Sequence, residues 1–180
     1  MDFGPNNPFY APSTLPFHAP PFDRIKDSDY QPAIEAGMAE QRQEIRAIAD
    51  NPAPPTFENT FVELEKSGQL FNRAMAAFSG VTGANLNPEL QRVQDYLAPR
   101  LAAHSDAIYL DSRLFQRVAA IYQQRESLKL DAESLRRLST VHAGEHWLSS
   151  LSVLSSAFCC ECAGLRRMGP ARERARPGAR

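Results

Sequence analysis

Near the end of this 180-residue chain, His142-Ala143-Gly144-Glu145-His146 sets two imidazoles four residues apart with a carboxylate between them. On a helix that spacing puts both histidines on one face. They could then share a zinc ion while Glu145 acts as base toward a metal-bound water, the inverted H-x-x-E-H arrangement of a metalloprotease. Such a centre needs a third protein ligand well beyond the motif. Only the acids Glu161 and Glu173 follow, in text without helical patterning, and Gly144 weakens the helix that would align the pair. A chance match outweighs a zinc site, and His142, Glu145 and His146 are the metal candidates of this motif.

Other chemistry-bearing residues read in the same way. Cys159, Cys160 and Cys162 offer soft thiolates that could join His142 or His146 on a metal. A structural site usually pairs two separated ligand clusters, and no second cysteine pair exists. The arginines from Arg166 to Arg180 could touch phosphates. No aromatic residue follows Phe158 to stack on a base, so a solvated basic tail is the simpler reading. His104 fits a satisfied, partly buried histidine, and His18 lies in an extended stretch with no identifiable partner. Glu58, Glu63 and Glu65 have the spacing of a helix surface rather than of a convergent acid pair. Neither a Gly-rich phosphate loop nor a G-x-S-x-G elbow is present. No catalytic and no cofactor-binding residue is assigned.

The elements around these residues read as all-α. Residues 1–31 form an extended arm, with prolines at 5, 8, 12, 16, 20 and 21 excluding a regular helix. The aromatics between them predict an arm packed on a folded body; a free Pro-rich tail offered to a partner is the competing reading. An antiparallel bundle of about five helices occupies 32–138. The first runs from about Asp29 to Asp50, with Pro32 in its first turn and Ile34, Met38, Ile45 and Ile48 inward. The second starts at the Thr56 cap and carries Phe57, Phe61, Leu64, Phe71, Met75 and Phe78, with Gly68 filling a gap in the stripe where a neighbouring helix comes close. Residues 80–85 read as a loop. Asn87-Pro88-Glu89 opens a third helix that Pro99 should kink, lined by Leu90, Val93, Leu97, Leu101 and His104. Asp111 caps a fourth, with Leu114, Phe115, Val118, Ile121 and Tyr122, and Asp131 caps a fifth, with Leu135 and Leu138 inward.

Composition bounds the function classes. The net charge of −1 gives no pull toward nucleic acid or membrane, and no apolar run approaches the ~20 residues that span a bilayer. With no basic n-region or apolar h-region at the N-terminus, a cytoplasmic protein is expected. The chemistry changes near residue 139. Residues 1–138 hold 14 Lys and Arg against 18 Asp and Glu, whereas 139–180 hold six Arg against three Glu, all three cysteines and the only tryptophan. Residues 139–180 are therefore read as an atypical, poorly ordered tail, a composition that fits an out-of-frame reading of a GC-rich gene or a replaced end.

A set of short segments carries a family pattern. They include Pro12-Ser13-Thr14-Leu15-Pro16-Phe17, Glu35-Ala36-Gly37-Met38, Glu44-Ile45 with Ala47-Ile48-Ala49, and Pro55-Thr56-Phe57-Glu58-Asn59-Thr60 with Ser67-Gly68. Further on stand Leu101-Ala102-Ala103-His104, Asp106-Ala107-Ile108-Tyr109-Leu110 and Leu130-Asp131-Ala132-Glu133-Ser134-Leu135-Arg136-Arg137-Leu138. Across roughly residues 7–138 this resembles the N-terminal region of the thimet-oligopeptidase and peptidyl-dipeptidase family of zinc metallopeptidases. The segment 106–110 resembles its bacterial peptidyl-dipeptidase (dipeptidyl carboxypeptidase) branch. The resemblance implies a mostly helical molecule enclosing a deep channel, with these helices as wall or lid. It further implies oligopeptide substrates and a zinc ion held by a His-Glu-x-x-His helix plus a later Glu. None of those catalytic positions maps onto this chain. The expectation is an N-terminal fragment of an enzyme releasing C-terminal dipeptides, silent by itself and partnered by the missing catalytic part. The alternative is a stand-alone helical interaction module without enzymatic activity.

Overall fold

The computed structural model describes residues 3–142. After a 3-10 turn at Pro16–His18 the chain forms α1 (Asp27–Ala49), then a π-helical turn Phe57–Val62 that runs into α2 (Glu63–Lys66). There follow α3 (Gln69–Ala84), α4 (Pro88–Tyr109), α5 (Ser112–Gln123) and α6 (Ala132–His142). Among the described residues there is no strand, and the expected all-α antiparallel bundle is what forms. None of its helices is long and apolar enough to cross a membrane.

Helix α1 is the centre of the bundle. The Asp29 carboxylate accepts the Lys26 backbone N–H at 2.8 Å, and Asp27 and Asp29 sit at the positive end of the dipole. These acids start the helix two residues before the predicted Asp29. Pro32 is consequently its sixth residue, beyond the first turn, at the cost of one ladder bond to the Ser28 carbonyl. Ile34, Met38, Ile45 and Ile48 are buried as their spacing predicts. Across from Ile34 and Met38, α3 supplies Phe71, Met75 and Phe78, and α4 supplies Leu90, Val93 and Leu97, whereas Ile45 and Ile48 pack with Ile108 and Leu114. Each such side chain contributes on the order of 2 kcal/mol when fully buried. Gly37 lets α1 and α3 approach backbone to backbone, since a Cβ there would stand 2.6 Å from Phe71 Cα.

Three predicted features come out differently. The long second helix is divided: Ser67 is extended and Gly68 is left-handed, with φ +71°, so α2 ends and α3 begins afresh. The two pieces bury their apolar residues in different places, Phe57 and Phe61 with Ile121 and Leu138, and Phe71, Met75 and Phe78 against α1 and α4. The stretch 80–85, read as loop, is helical through Ala84. Thr82 Oγ1 donates to the Phe78 carbonyl at 2.9 Å and Val81 packs on the core, which holds the extra turn in spite of two glycines. Phe115 is 50% exposed instead of inward, because Leu114, Val118 and Ile121 already fill that face of α5.

Caps fall where the sequence places them. Thr56 accepts from Asn59 N at 3.1 Å, Asn87 from Leu90 N at 2.9 Å, Asp111 from Arg113 N at 2.9 Å, and Asp131 from Ser134 N at 3.0 Å. Helix α4 continues through Pro99 to Tyr109. Leu138 is fully buried with Phe61 and Ile121, and α6 continues to His142, past the compositional change near 139.

The arm is held at its root. Phe9 is buried against Tyr30, their ring centroids 5.6 Å apart, and Arg73 donates to the Phe9 carbonyl at 2.8 Å. Asn7 Nδ2 donates to the Asp29 carbonyl at 3.0 Å. Beyond Phe9 the Tyr10 ring stays 5.7 Å from Phe3, which packs on the core, while Phe17 and Phe22 do not pack as the sequence reading expects. Tyr10, Leu15, Phe17 and Phe22 all face solvent.

Candidate functional site

The bundle positions two buried polar clusters, both on helix faces that are otherwise apolar. The first is centred on Arg117, at the i+3 step of the α5 stripe Leu114, Val118 and Ile121. Its guanidinium donates to the Asn51 carbonyl at 2.7 Å and the Ala53 carbonyl at 3.1 Å. It also donates to Asn59 Oδ1 at 3.0 Å and Thr60 Oγ1 at 3.2 Å. Asn59 in turn accepts from Thr56 N and Thr60 Oγ1, each at 2.9 Å, and donates to the Pro54 carbonyl at 2.9 Å. Arg117 is 7% exposed and Thr60 0%. The cluster thus grips the proline turn 51–60 at four oxygens and fixes where α1 ends and the π-helical turn starts. Among the described residues these partners are all neutral, so the arrangement holds a backbone in place and offers no acid or base for catalysis.

The second cluster joins α1, α3 and α4. His104 is 2% exposed, lies 5.1 Å from the Phe71 ring, and donates Nε2–H to Gln41 Oε1 at 2.8 Å. Its other ring nitrogen, Nδ1, is buried without a hydrogen-bond partner. Burial, with the Arg42 charge nearby, pushes its pKa down to about 4. The Gln41 amide also fills the space where a Cβ on Gly68 would go, and Glu44 Oε2 accepts the Gly68 N–H at 2.7 Å. The close approach predicted at Gly68 is real, and α1 side chains make it. His104 is satisfied on one nitrogen only, so it is a half-satisfied core histidine.

Elsewhere the geometry is dispersed. A cleft of about 240 Å³ between the starts of α1 and α4 is lined by Ser28, Gln31, Glu35, Glu89 and Arg92 among others. Its carboxylates belong to surface helix positions. Glu63 pairs with Lys66 and Glu65 with Arg137, each at 2.8 Å, as helix-surface acids do. His18, expected to be without a partner, lies 2.9 Å from the Ser13 carbonyl through Nδ1, because the 3-10 turn folds it back.

Of the metal candidates, His142 closes α6, while Glu145, His146, Cys159, Cys160 and Cys162 lie outside the described residues. The H-x-x-E-H motif is thus outside what the structure describes, apart from the backbone of His142. Among the described residues no group of three His, Cys, Asp or Glu could hold a metal ion. The zinc that the family resemblance implies finds no fitting donor set among the described residues. Arg117 and Gln41 are the residues that the sequence reading missed. Both carried the same signal, a polar side chain at a step where the helix otherwise turns apolar residues inward.

No family model matches the chain. Two curated relatives share the name dipeptidyl carboxypeptidase. The chain is 49% identical to the one from Salmonella typhimurium and 47% identical to the one from Escherichia coli, each over 136 residues, or 76% of this chain. Oligopeptidase A of Escherichia coli is more distant, 26% identical over 94 residues, covering 52% of this chain and 14% of the relative. The chain spans about a fifth of the length of the two dipeptidyl carboxypeptidases, 20% in each case.

Proposed function

From the premise that this chain belongs to the dipeptidyl carboxypeptidase family, as its N-terminal region, we propose that it walls or lids the substrate channel of a peptidyl-dipeptidase. The complete enzyme releases C-terminal dipeptides from oligopeptides in the cytoplasm, through a zinc centre that lies in the remaining four fifths of the polypeptide. The 180 residues contain no His-Glu-x-x-His motif, and on this reading the chain alone does not cleave peptides. The observation that carries the proposal is the 49% identity sustained over 136 residues.

The structural role follows from what the chain's own residues do. Arg117 locks the proline turn, and the cores around Phe71 and Phe61 keep the bundle stiff. A wall that is to exclude folded proteins from a channel must hold its shape, and a surface turn gripped by a buried guanidinium provides that. The test is hydrolysis of a blocked tripeptide by the purified chain with added zinc. No turnover is expected. Turnover that disappears with chelator, and again in Glu145→Gln, would assign activity to the inverted motif and overturn the proposal.

One observation favours the second reading, a stand-alone helical module. The stripe that starts at Phe57 is closed off from water, with Phe61, Phe71, Met75 and Phe78 all buried. The wall reading is supported instead by apolar surface that the bundle leaves open, at Leu110 (79% exposed).

A further inference from the structure

The segment Tyr10–Arg24 is a closed loop on a fixed base. At one end Phe9 is buried, and at the other Ile25 packs on the same core. The Asn7 Nδ2 bond to the Asp29 carbonyl ties the two ends together. Within the loop Ser13 Oγ accepts the Leu15 N–H at 3.2 Å, and the Leu15 carbonyl accepts His18 N–H at 2.9 Å. Prolines 12, 16, 20 and 21 remove further freedom. The tip is strained: Phe17 and His18 both take left-handed backbone, with φ of 58° and 55°, which costs of order 1 kcal/mol or more at each non-glycine residue.

This strained tip holds the Phe17 ring completely in solvent, at 102% exposure, with Phe22, Tyr10 and Leu15 at 55%, 53% and 44%. Phe17, Phe22 and Leu15 on one stiffened loop form an apolar surface that nothing among the described residues covers, beside a Tyr10 ring that packs 5.7 Å from Phe3. A rigid segment that has already lost its conformational freedom binds with a smaller entropic penalty. The occupant is indicated by length, because the relatives extend over about five times the matched segment, 20% of each being covered.

We propose that the loop 10–24 is a docking hook, with Phe17 as its anchor, that inserts into an apolar pocket on the rest of the dipeptidyl carboxypeptidase polypeptide. This rests on the channel-wall reading given above and names the surface through which the wall is attached. The loop contributes buried aromatic area to that interface, and Phe17 is its hot spot.

The test uses the 180-residue chain and a full-length chimera, in which this chain's matched segment replaces that of the Salmonella typhimurium enzyme. Chymotrypsin should cut the isolated chain rapidly after Phe17 and Phe22, and the chimera at least tenfold more slowly. Phe17→Ser and Phe17→Gly should restore rapid cutting at Phe22 in the chimera. Both variants should leave the melting of the isolated chain unchanged, or raised for the glycine, which relaxes the backbone. A chimera that releases dipeptides but is cut at Phe17 as fast as the isolated chain overturns the hook and leaves the wall reading standing. An inactive chimera removes the wall reading and the hook with it. Protection of the loop in the isolated chain, lost on dilution, would identify a second copy as the occupant and also overturn the proposal.

Discussion

Arg117 and Asn59 meet across 58 residues of sequence, the guanidinium Nη2 donating to the amide Oδ1 at 3.0 Å. The same amide oxygen caps the Thr56 N–H and receives the Thr60 hydroxyl. One side-chain carbonyl therefore organises the turn, and one buried arginine organises that carbonyl. The segment that carries the clearest family pattern, Pro55 to Thr60, is also where α1, the π-helical turn and α5 are joined.

Replacing Arg117 by Ala should destabilise the chain by roughly 2 kcal/mol, since it leaves the buried Thr60 hydroxyl and the part-buried Asn51 carbonyl without their donor. Arg117→Lys should recover less than half of this, because an ammonium cannot reproduce the planar fork. Denaturant unfolding of the three proteins measures both effects. An Arg117→Ala midpoint equal to wild type would remove the cluster from the account.

Three glycines separate backbone geometry from helix propensity. Gly37→Ala should cost several kcal/mol, because its Cβ meets Phe71 backbone atoms that cannot step aside. Gly68→Ala should cost about 1–2 kcal/mol, through a left-handed φ and collision with the Gln41 amide. Gly80→Ala meets nothing within 4 Å and stands inside α3, so it should stabilise by about 0.5–1 kcal/mol. Thermal melts rank the three, and the account requires opposite signs for positions 37 and 80.

Acid should loosen the α1–α4 contact through His104. Folded His104 takes a proton only near pH 4, whereas an unfolded histidine takes it near 6.5. Between those values the unfolded chain binds more protons, so stability falls as pH drops from 6.5 toward 4, by at most about 3 kcal/mol. Protonation would also place an N–H on Nδ1, where no acceptor waits. In His104→Asn the slope of melting temperature against pH should flatten over this window. The carboxyl of Asp111, held low by Arg113, contributes its own loss only below the usual carboxylate range.

Most of the fold is legible in the sequence because caps and apolar spacing are local. Asn87-Pro88, Asp111 and Asp131 start helices where their chemistry says they should. What local reading misses depends on the third dimension. Gly68 divides a helix because α1 occupies the space beside it. Residues 80–84 stay helical because Val81 finds a core and Thr82 bonds back. Phe115 faces out because its neighbours already fill the inner face. Arg117 and Gln41 were visible only as polar interruptions of apolar stripes, and nothing in the chain order says what they reach. The H-x-x-E-H text could be read from the sequence, but its Glu145 and His146 lie outside the described residues.

The central claim is that these helices belong to a peptidase whose chemistry lies elsewhere in the polypeptide. The most direct measurement compares dipeptide release from a blocked tripeptide by the isolated 180-residue chain, with zinc supplied, and by the chimera. The account predicts no release by the chain and release by the chimera within about tenfold of the parent enzyme, an allowance of some 1.4 kcal/mol in the barrier. Chelator-sensitive release by the chain alone, or a folded chimera with none, would contradict it.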